Sequence, residues 1–104
     1  MKKSSIFSVA ARLPQLWQSR ILGQVGDASI KVTRMGGEGI PPEVHDAFDE
    51  WLLVLDGELP LVVDNQLFTL SAGEYVVVPR GKTHHVPPGS VGTLLLVDIN
   101  APTA

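Results

Sequence analysis

Four side chains of this sequence offer lone pairs at spacings that would let them meet: Glu43, His45, Glu50 and His84. Imidazole nitrogens and carboxylate oxygens are the usual donors to a catalytic divalent ion, and they must converge from separate segments to enclose it. Residues two apart on a strand share a face, so Glu43 and His45 would point together into a barrel while Val44 points outward. Glu50 then opens the next strand across a bend at residues 46–49, and an antiparallel pair would bring it opposite. His84 follows Gly81, which allows a tight approach, in a strand that could close the same end of the barrel. Three or four ligands with positions left open for water or substrate describe a catalytic site rather than a structural one.

Other chemistries have less behind them. Gly36, Gly37 and Gly39 form no phosphate loop, because no helix follows to present its N-terminal amides. No serine stands beside a histidine, so a nucleophilic triad is unsupported. His85 must face away from His84 on a strand and is expected outside the cavity. Arg80 and Lys82 flank the turn before His84 and read as solvated charges. Phe48, Trp51 and Tyr75 read as core or interface residues rather than a stacking platform.

The elements that must position the four candidates are strands. Short apolar runs rich in Val, Leu and Ile alternate with Gly, Pro, Asp and Asn, and predict strands over 20–25, 28–35, 40–45, 50–55, 58–63, 66–70, 74–78, 83–86 and 93–99. Turns are expected at Gly26-Asp27, Asp56-Gly57, Asp64-Asn65 and Ser71-Ala72-Gly73, where the residues tolerate the positive φ of tight hairpins. One helix is expected over 5–13, where Ile6, Val9, Ala10 and Leu13 recur at helical spacing and Pro14 stops the turn. An all-β chain of this kind must close or sandwich to hide its strand edges, which predicts an antiparallel barrel or jelly roll. Residues 1–15 are assigned to a retained N-terminal arm and 16–104 to the barrel domain.

In the strand at 50–55, Glu50, Leu52 and Val54 should face inward together, with Trp51 outside. Leu52, Val54, Leu61 and Val76 are expected as apolar cavity walls. Runs that are apolar at every position, such as 51–55 and 75–78, predict strands covered on both faces, and a second copy of the chain in a homodimer is the simplest cover.

Charge and composition narrow the partners. Eight Lys and Arg stand against eleven Asp and Glu, a net charge of −3 with no basic cluster, which argues against nucleic acid. Cysteine is absent, which suits a reducing compartment and predicts a cytoplasmic protein. The longest apolar run is a strand's length, so no membrane partner is expected.

The four candidates also sit within two longer patterns. The first reads Gly37, five residues, Glu43, one residue, His45, four residues, Glu50, six residues, Gly57; the second reads Gly73, five residues, Pro79, one residue, Gly81, two residues, His84, three residues, Pro88. These resemble the two motifs of the cupin superfamily, in which a Gly, a His-x-His pair, a Glu and a Gly precede a Gly, a Pro-x-Gly, a His and an Asn. Residues 49–57 and 73–81 are similar to small single-domain cupins of the mannose-6-phosphate isomerase-like kind. The resemblance implies an antiparallel double-stranded β-helix with Glu43, His45, Glu50 and His84 as ligands of divalent iron, manganese or zinc.

It further implies a metal-dependent isomerase, dioxygenase or lyase acting on a small organic or sugar-like substrate, with Glu50 as the carboxylate that moves a proton. The sequence departs from the pattern twice: Glu43 replaces the first motif His, and Pro88 replaces the final Asn. A carboxylate can still ligate, but it differs in reach and charge. A cupin that binds or senses a small molecule without chemistry is therefore the alternative expectation.

Overall fold

Prolines, glycines and the two-residue strand period account for most of the architecture. The computed structural model describes residues 1–99; residues 100–104, the end of the expected barrel domain, lie outside the described residues. The elements are α1 (Ile6–Ala11), β1 (Arg20–Val25), β2 (Ala28–Met35), β3 (Ile40–Glu43), β4 (Glu50–Val63), β5 (Gln66–Ser71), β6 (Tyr75–Val78), β7 (His84–Val86) and β8 (Val91–Ile99). All strand pairings are antiparallel, in the order β1-β2-β8-β4-β7-β3, with β5 and β6 also paired to β4. The fold is all-β, as the sequence predicts.

β4 organises the barrel because it pairs with four other strands along its length. The sequence divides this stretch into two strands with a turn at Asp56-Gly57, but the chain runs through as one. Gly57 has a φ of +84°, and a Cβ there would fall 1.9 Å from the Val91 carbonyl oxygen. It pairs with Gly92, also at positive φ, just past a register shift between Val54 and Asp56. The glycine thus serves a bulge and a close strand crossing, not a hairpin. A true hairpin joins β4 to β5 through Asp64 and Asn65, whose φ values of 52° and 68° suit a tight two-residue turn.

β3 is shorter than expected and stops at Glu43, so His45 belongs to the following loop. Pro41 and Pro42 lack amide protons for a ladder, and β3 accordingly lies at the end of the strand order. Its partner is β7, with Glu43 opposite His84. Glu50 is therefore not brought opposite Glu43 by pairing of consecutive strands.

The inward register of β4 is as predicted: Glu50, Leu52 and Val54 are all buried. They continue into a core of Leu59, Leu61, Leu70, Val78 and Leu94. Full burial of a leucine such as Leu59 or Leu61 stabilises the fold by about 1.5–3 kcal/mol. Trp51, Leu53 and Leu55, expected on an open outer face, are each half-buried, and Trp51 lies tilted against Tyr75 at a ring separation of 5.5 Å.

The arm preceding the barrel packs onto it. Ser5 caps α1 by accepting a hydrogen bond from the Ser8 amide at 3.3 Å, which starts the helix one residue later than the spacing predicts. Ala10 and Leu13 are buried, and the Arg34 guanidinium on β2 donates to the Leu13 carbonyl at 2.9 Å. Among the described residues no helix is long and apolar enough to cross a membrane.

Candidate metal centre

Each of the four candidates is held by a different local device. His84 opens β7 and is fixed by pairing on both sides, with Glu43 of β3 and Val63 of β4. Glu50 opens β4. His45 sits in the β3–β4 loop, where its carbonyl accepts the Gly81 amide at 2.7 Å and its ring stacks on Phe48 at 4.8 Å. That contact ties the two motif segments together and fixes the imidazole plane.

The side chains converge. His45 Nε2 lies 3.8 Å from Glu43 Oε1 and 3.8 Å from Glu50 Oε2, while His84 Nε2 lies 3.5 Å from Glu43 Oε1 and 3.7 Å from Glu50 Oε1. One donor atom from each of the four residues falls within 4.8 Å of the other three. The two rings stand 5.2 Å apart, tilted by 46°. His84 is 4% exposed and Glu50 8%, whereas the Glu43 side chain is 47% exposed and forms the lip of the site.

Separations of 3.5–3.8 Å are too long for good hydrogen bonds, and neither His45 Nε2 nor His84 Nε2, both buried, has a hydrogen-bond partner among the described residues. Buried polar atoms are normally paired, so two orphaned imidazole nitrogens facing two carboxylates call for a missing group. The tautomer of His84 supports the same conclusion. Its Nδ1 lies 3.0 Å from the Lys82 carbonyl oxygen, which can only accept. Nδ1 therefore carries the proton, and in the neutral ring Nε2 presents its lone pair to the cluster. An ion bound to nitrogen and oxygen donors at about 2.0–2.2 Å separates those donors by about 3–4.4 Å, which the observed distances match.

Burial raises the Glu50 carboxyl above its ordinary pKa, an effect partly offset by the nearby His45 and His84 rings and reinforced by Glu43 and Asp98. The cluster opens into a cavity of about 310 Å³ bounded by apolar residues including Leu52, Leu59, Leu61 and Leu94. Val54 and Val76, expected as walls, do not border it: Val54 is sealed in the core and Val76 packs against that core. His85, expected on the outer face, does border it. Arg80 and Lys82 stay outside. The Arg80 amide donates to Asp49, and Lys82 forms an exposed ion pair with Asp64 at 3.3 Å, worth little in water.

Three neighbours of the site are not apparent from the sequence. Phe48 was read as core or interface, and its stacking on His45 is visible only in three dimensions. Lys31 and Asp98 meet across β2 and β8 and border the same cavity, although 67 positions separate them in the chain. Strand parity is the one signal available for them, because Lys31 shares a face with Thr33 and Asp98 with Leu94 and Leu96.

Comparison with known proteins agrees with this geometry. Residues 31–100 match the Cupin_2 model, described as a cupin domain. A stretch of 61 residues is 39% identical to quercetin 2,3-dioxygenase of Bacillus subtilis (strain 168), covering 57% of this chain and 18% of that protein. A stretch of 41 residues is 49% identical to endoribonuclease YbeY of Myxococcus xanthus (strain DK1622), covering 39% of this chain and 14% of that protein. The chain thus spans less than a fifth of the length of either curated relative.

Among solved structures, a cupin-2 domain protein from Shewanella frigidimarina superposes with a TM-score of 0.82 at 20% identity, over 93% of this chain and 94% of that one. A protein provisionally assigned as a mannose-6-phosphate isomerase, from Ralstonia eutropha JMP134, gives 0.73 at 20% identity, over 97% and 100%. At such identities the likeness speaks for the fold alone. With the family model matching well over half of its length, and with the barrel and converging motif residues in place, this chain belongs to the Cupin_2 family of cupin domains.

Proposed function

We propose that Glu43, His45, Glu50 and His84 hold a divalent iron, manganese or zinc ion, and that the chain is a metal-dependent enzyme of isomerase, dioxygenase or lyase type. Its substrate is a small organic or sugar-like molecule. The observation that carries this reading is the pair of buried, unpartnered imidazole nitrogens aimed at two carboxylates. When bound, the ion polarises a substrate oxygen.

The remaining work falls to the chain itself. The Lys82 carbonyl holds the His84 tautomer, and Phe48 holds the His45 plane. The apolar cavity wall excludes water from the substrate. Glu50 accepts and returns a proton at the carboxylate oxygen that does not hold the ion. The half-exposed position of Glu43 favours the second reading, a binding cupin in which a weakly held ion or none is present.

Elemental analysis of protein purified without added metal tests the proposal. About one equivalent of iron, manganese or zinc per chain is expected, and it should be lost in His45→Ala and in His84→Ala. Equal trace metal in all three proteins would overturn it.

We further place the protein in the cytoplasm as a homodimer that binds neither nucleic acid nor membrane. The exposed side chains of Tyr75 and Val77 beside Trp51 support a covered face on β4 and β6. Light scattering at micromolar concentration should give twice the chain mass, and the mass of a single chain would exclude the dimer.

A further inference from the structure

Next to the four converging ligands, the same cavity holds a second polar group that the metal reading does not use. The Lys31 ammonium on β2 lies 2.9 Å from Asp98 Oδ1 and 3.2 Å from Asp98 Oδ2 on β8. Both residues border the cavity, the Lys31 side chain one-fifth exposed and the Asp98 side chain one-tenth. Oδ2 accepts the aligned hydrogen bond and Oδ1 lies in ionic contact with the same ammonium, so the carboxylate is neutralised by Lys31 while its oxygens keep further lone pairs. The ammonium has three protons, so at least one is free for a ligand.

Strand register places this pair beside the cluster. Leu52 pairs with Leu96 and Trp51 with Val97, so the next step along the same ladder sets Glu50 next to Asp98. On the other side Asp98 stands opposite Ser29 and Lys31 opposite Leu96, so the Lys31 side chain reaches Asp98 diagonally, and the three residues border one cavity from three neighbouring strands, β2, β8 and β4. Adjacent strands are about 5 Å apart, so a molecule that reaches the four ligands also reaches Lys31 and Asp98.

We propose that the Lys31–Asp98 pair is a recognition site for a hydroxyl group on a neutral, mainly apolar small molecule. A group seated on the pair meets a free N–H of Lys31 and the remaining lone pairs of the Asp98 carboxylate together. A hydroxyl answers both, accepting from the ammonium and donating to the carboxylate, whereas a carboxylate ligand would face Asp98 with nothing to donate. The choice of a neutral ligand rests on the metal reading above. Among the described residues of the wall, Lys31 is the one Lys or Arg beside Glu43, Glu50 and Asp98, so a divalent ion brings the wall to neutrality when the histidines are neutral. The rest of the cavity wall includes Leu52, Leu59, Leu61, Leu94 and Leu96, which fits a carbon ring or short chain and little more in about 310 Å³.

The test uses p-cresol, p-xylene and p-toluate, which share one ring and methyl group and differ in carrying a hydroxyl, a second methyl or a carboxylate. Chemical-shift titrations are run on metal-free and on Zn²⁺-loaded protein. In the metal-free protein p-cresol should bind about tenfold tighter than p-xylene, with p-toluate weakest. The cresol-over-xylene preference should persist with Zn²⁺. The double variant Lys31→Met/Asp98→Leu removes both partners of the ion pair, a change that buried pairs commonly tolerate.

It should bind p-cresol and p-xylene equally and take up Zn²⁺ within about threefold of the parent. Equal binding of cresol and xylene by the parent, tighter toluate in the metal-free protein, or a preference that survives in the double variant would each overturn the proposal. So would a loss of Zn²⁺ affinity beyond about tenfold in that variant, which would make the pair a support for the metal ligands instead. Zn²⁺ uptake by the parent is titrated separately. Its failure would sink the metal reading while the cresol preference stays measurable on metal-free protein.

Discussion

Two polar groups face one cavity, and they are satisfied in opposite ways. Lys31 and Asp98 supply a donor and an acceptor to each other at 2.9–3.2 Å. Glu43, Glu50 and His84 turn acceptors toward a centre they share with His45 Nε2, and the imidazole nitrogens stand 3.5–3.8 Å from the carboxylate oxygens without a hydrogen bond. An ion pair holds together without a further ion and still offers a spare proton to a neutral ligand, but lone pairs converging on one centre repel one another until a cation or proton arrives. The comparison separates a cluster that could hold an ion from a pair already neutralised by its own charges.

The largest expected effect breaks the acceptor set. His84→Ala removes the most buried of the four proposed ligands and the one whose tautomer is fixed by the Lys82 carbonyl. Zn²⁺ or Mn²⁺ affinity measured by calorimetry should fall at least about 100-fold. The neutral Lys31→Met/Asp98→Leu variant should hardly change it. Comparable losses in both would erase the distinction between the two groups.

On the other side, removing half of the self-complementary pair should be felt in folding. Lys31→Met leaves Asp98 as a buried charge without its partner, which costs about 3 kcal/mol, toward the low end because Lys31 is one-fifth exposed. For a domain of this size that lowers the melting temperature by about 10 °C or more. The Lys31→Met/Asp98→Leu variant should recover most of the loss. Thermal melts of the two variants side by side decide it, and an unchanged melting point in Lys31→Met would mean that the pair is solvated.

How far each group was legible in the sequence follows from the same contrast. The four candidate ligands lie in two compact motifs whose spacings survive translation into a barrel, so the convergence of Glu43, His45, Glu50 and His84 could be expected from the sequence. The strands β1 and β2 were readable to the residue because Gly26 and Asp27 mark the turn between them. Asp56-Gly57 carries the same local chemistry as a hairpin turn, yet its positive φ serves a crossing with Gly92, which lies 35 positions away. Nothing local distinguishes the two uses. Lys31 and Asp98 are single charged residues on alternating strands, and only the β2–β8 register brings them together.

Glu43 offers a way to sharpen the comparison, since it is the most exposed of the acceptors. Glu43→His restores the usual motif residue and exchanges a carboxylate for a neutral donor, so it should tighten Zn²⁺ binding by about tenfold. Glu43→Ala should weaken binding by a similar factor when the carboxylate coordinates, and leave it unchanged when three ligands suffice. Calorimetric titration of both variants beside the parent distinguishes these outcomes.

The smallest effect is a dependence of metal-free stability on pH. Burial raises Glu50 above its ordinary value of 4.5, so over the range between the unfolded and folded values the folded protein binds more protons than the unfolded chain. The contribution is fully favourable below about 4.5, where Glu50 is protonated in both states, and is lost as pH rises through the raised value. Metal-free protein should therefore lose stability over that interval, by an amount that Glu50→Gln removes because the amide cannot ionise. A bound divalent ion should cancel the loss too, since it favours the ionised carboxylate and displaces the proton. Urea denaturation of the metal-free parent, the metal-free Glu50→Gln variant and the Zn²⁺-loaded parent across this range checks the sign. An identical pH slope in the metal-free parent and in Glu50→Gln would show that Glu50 is not the group responsible.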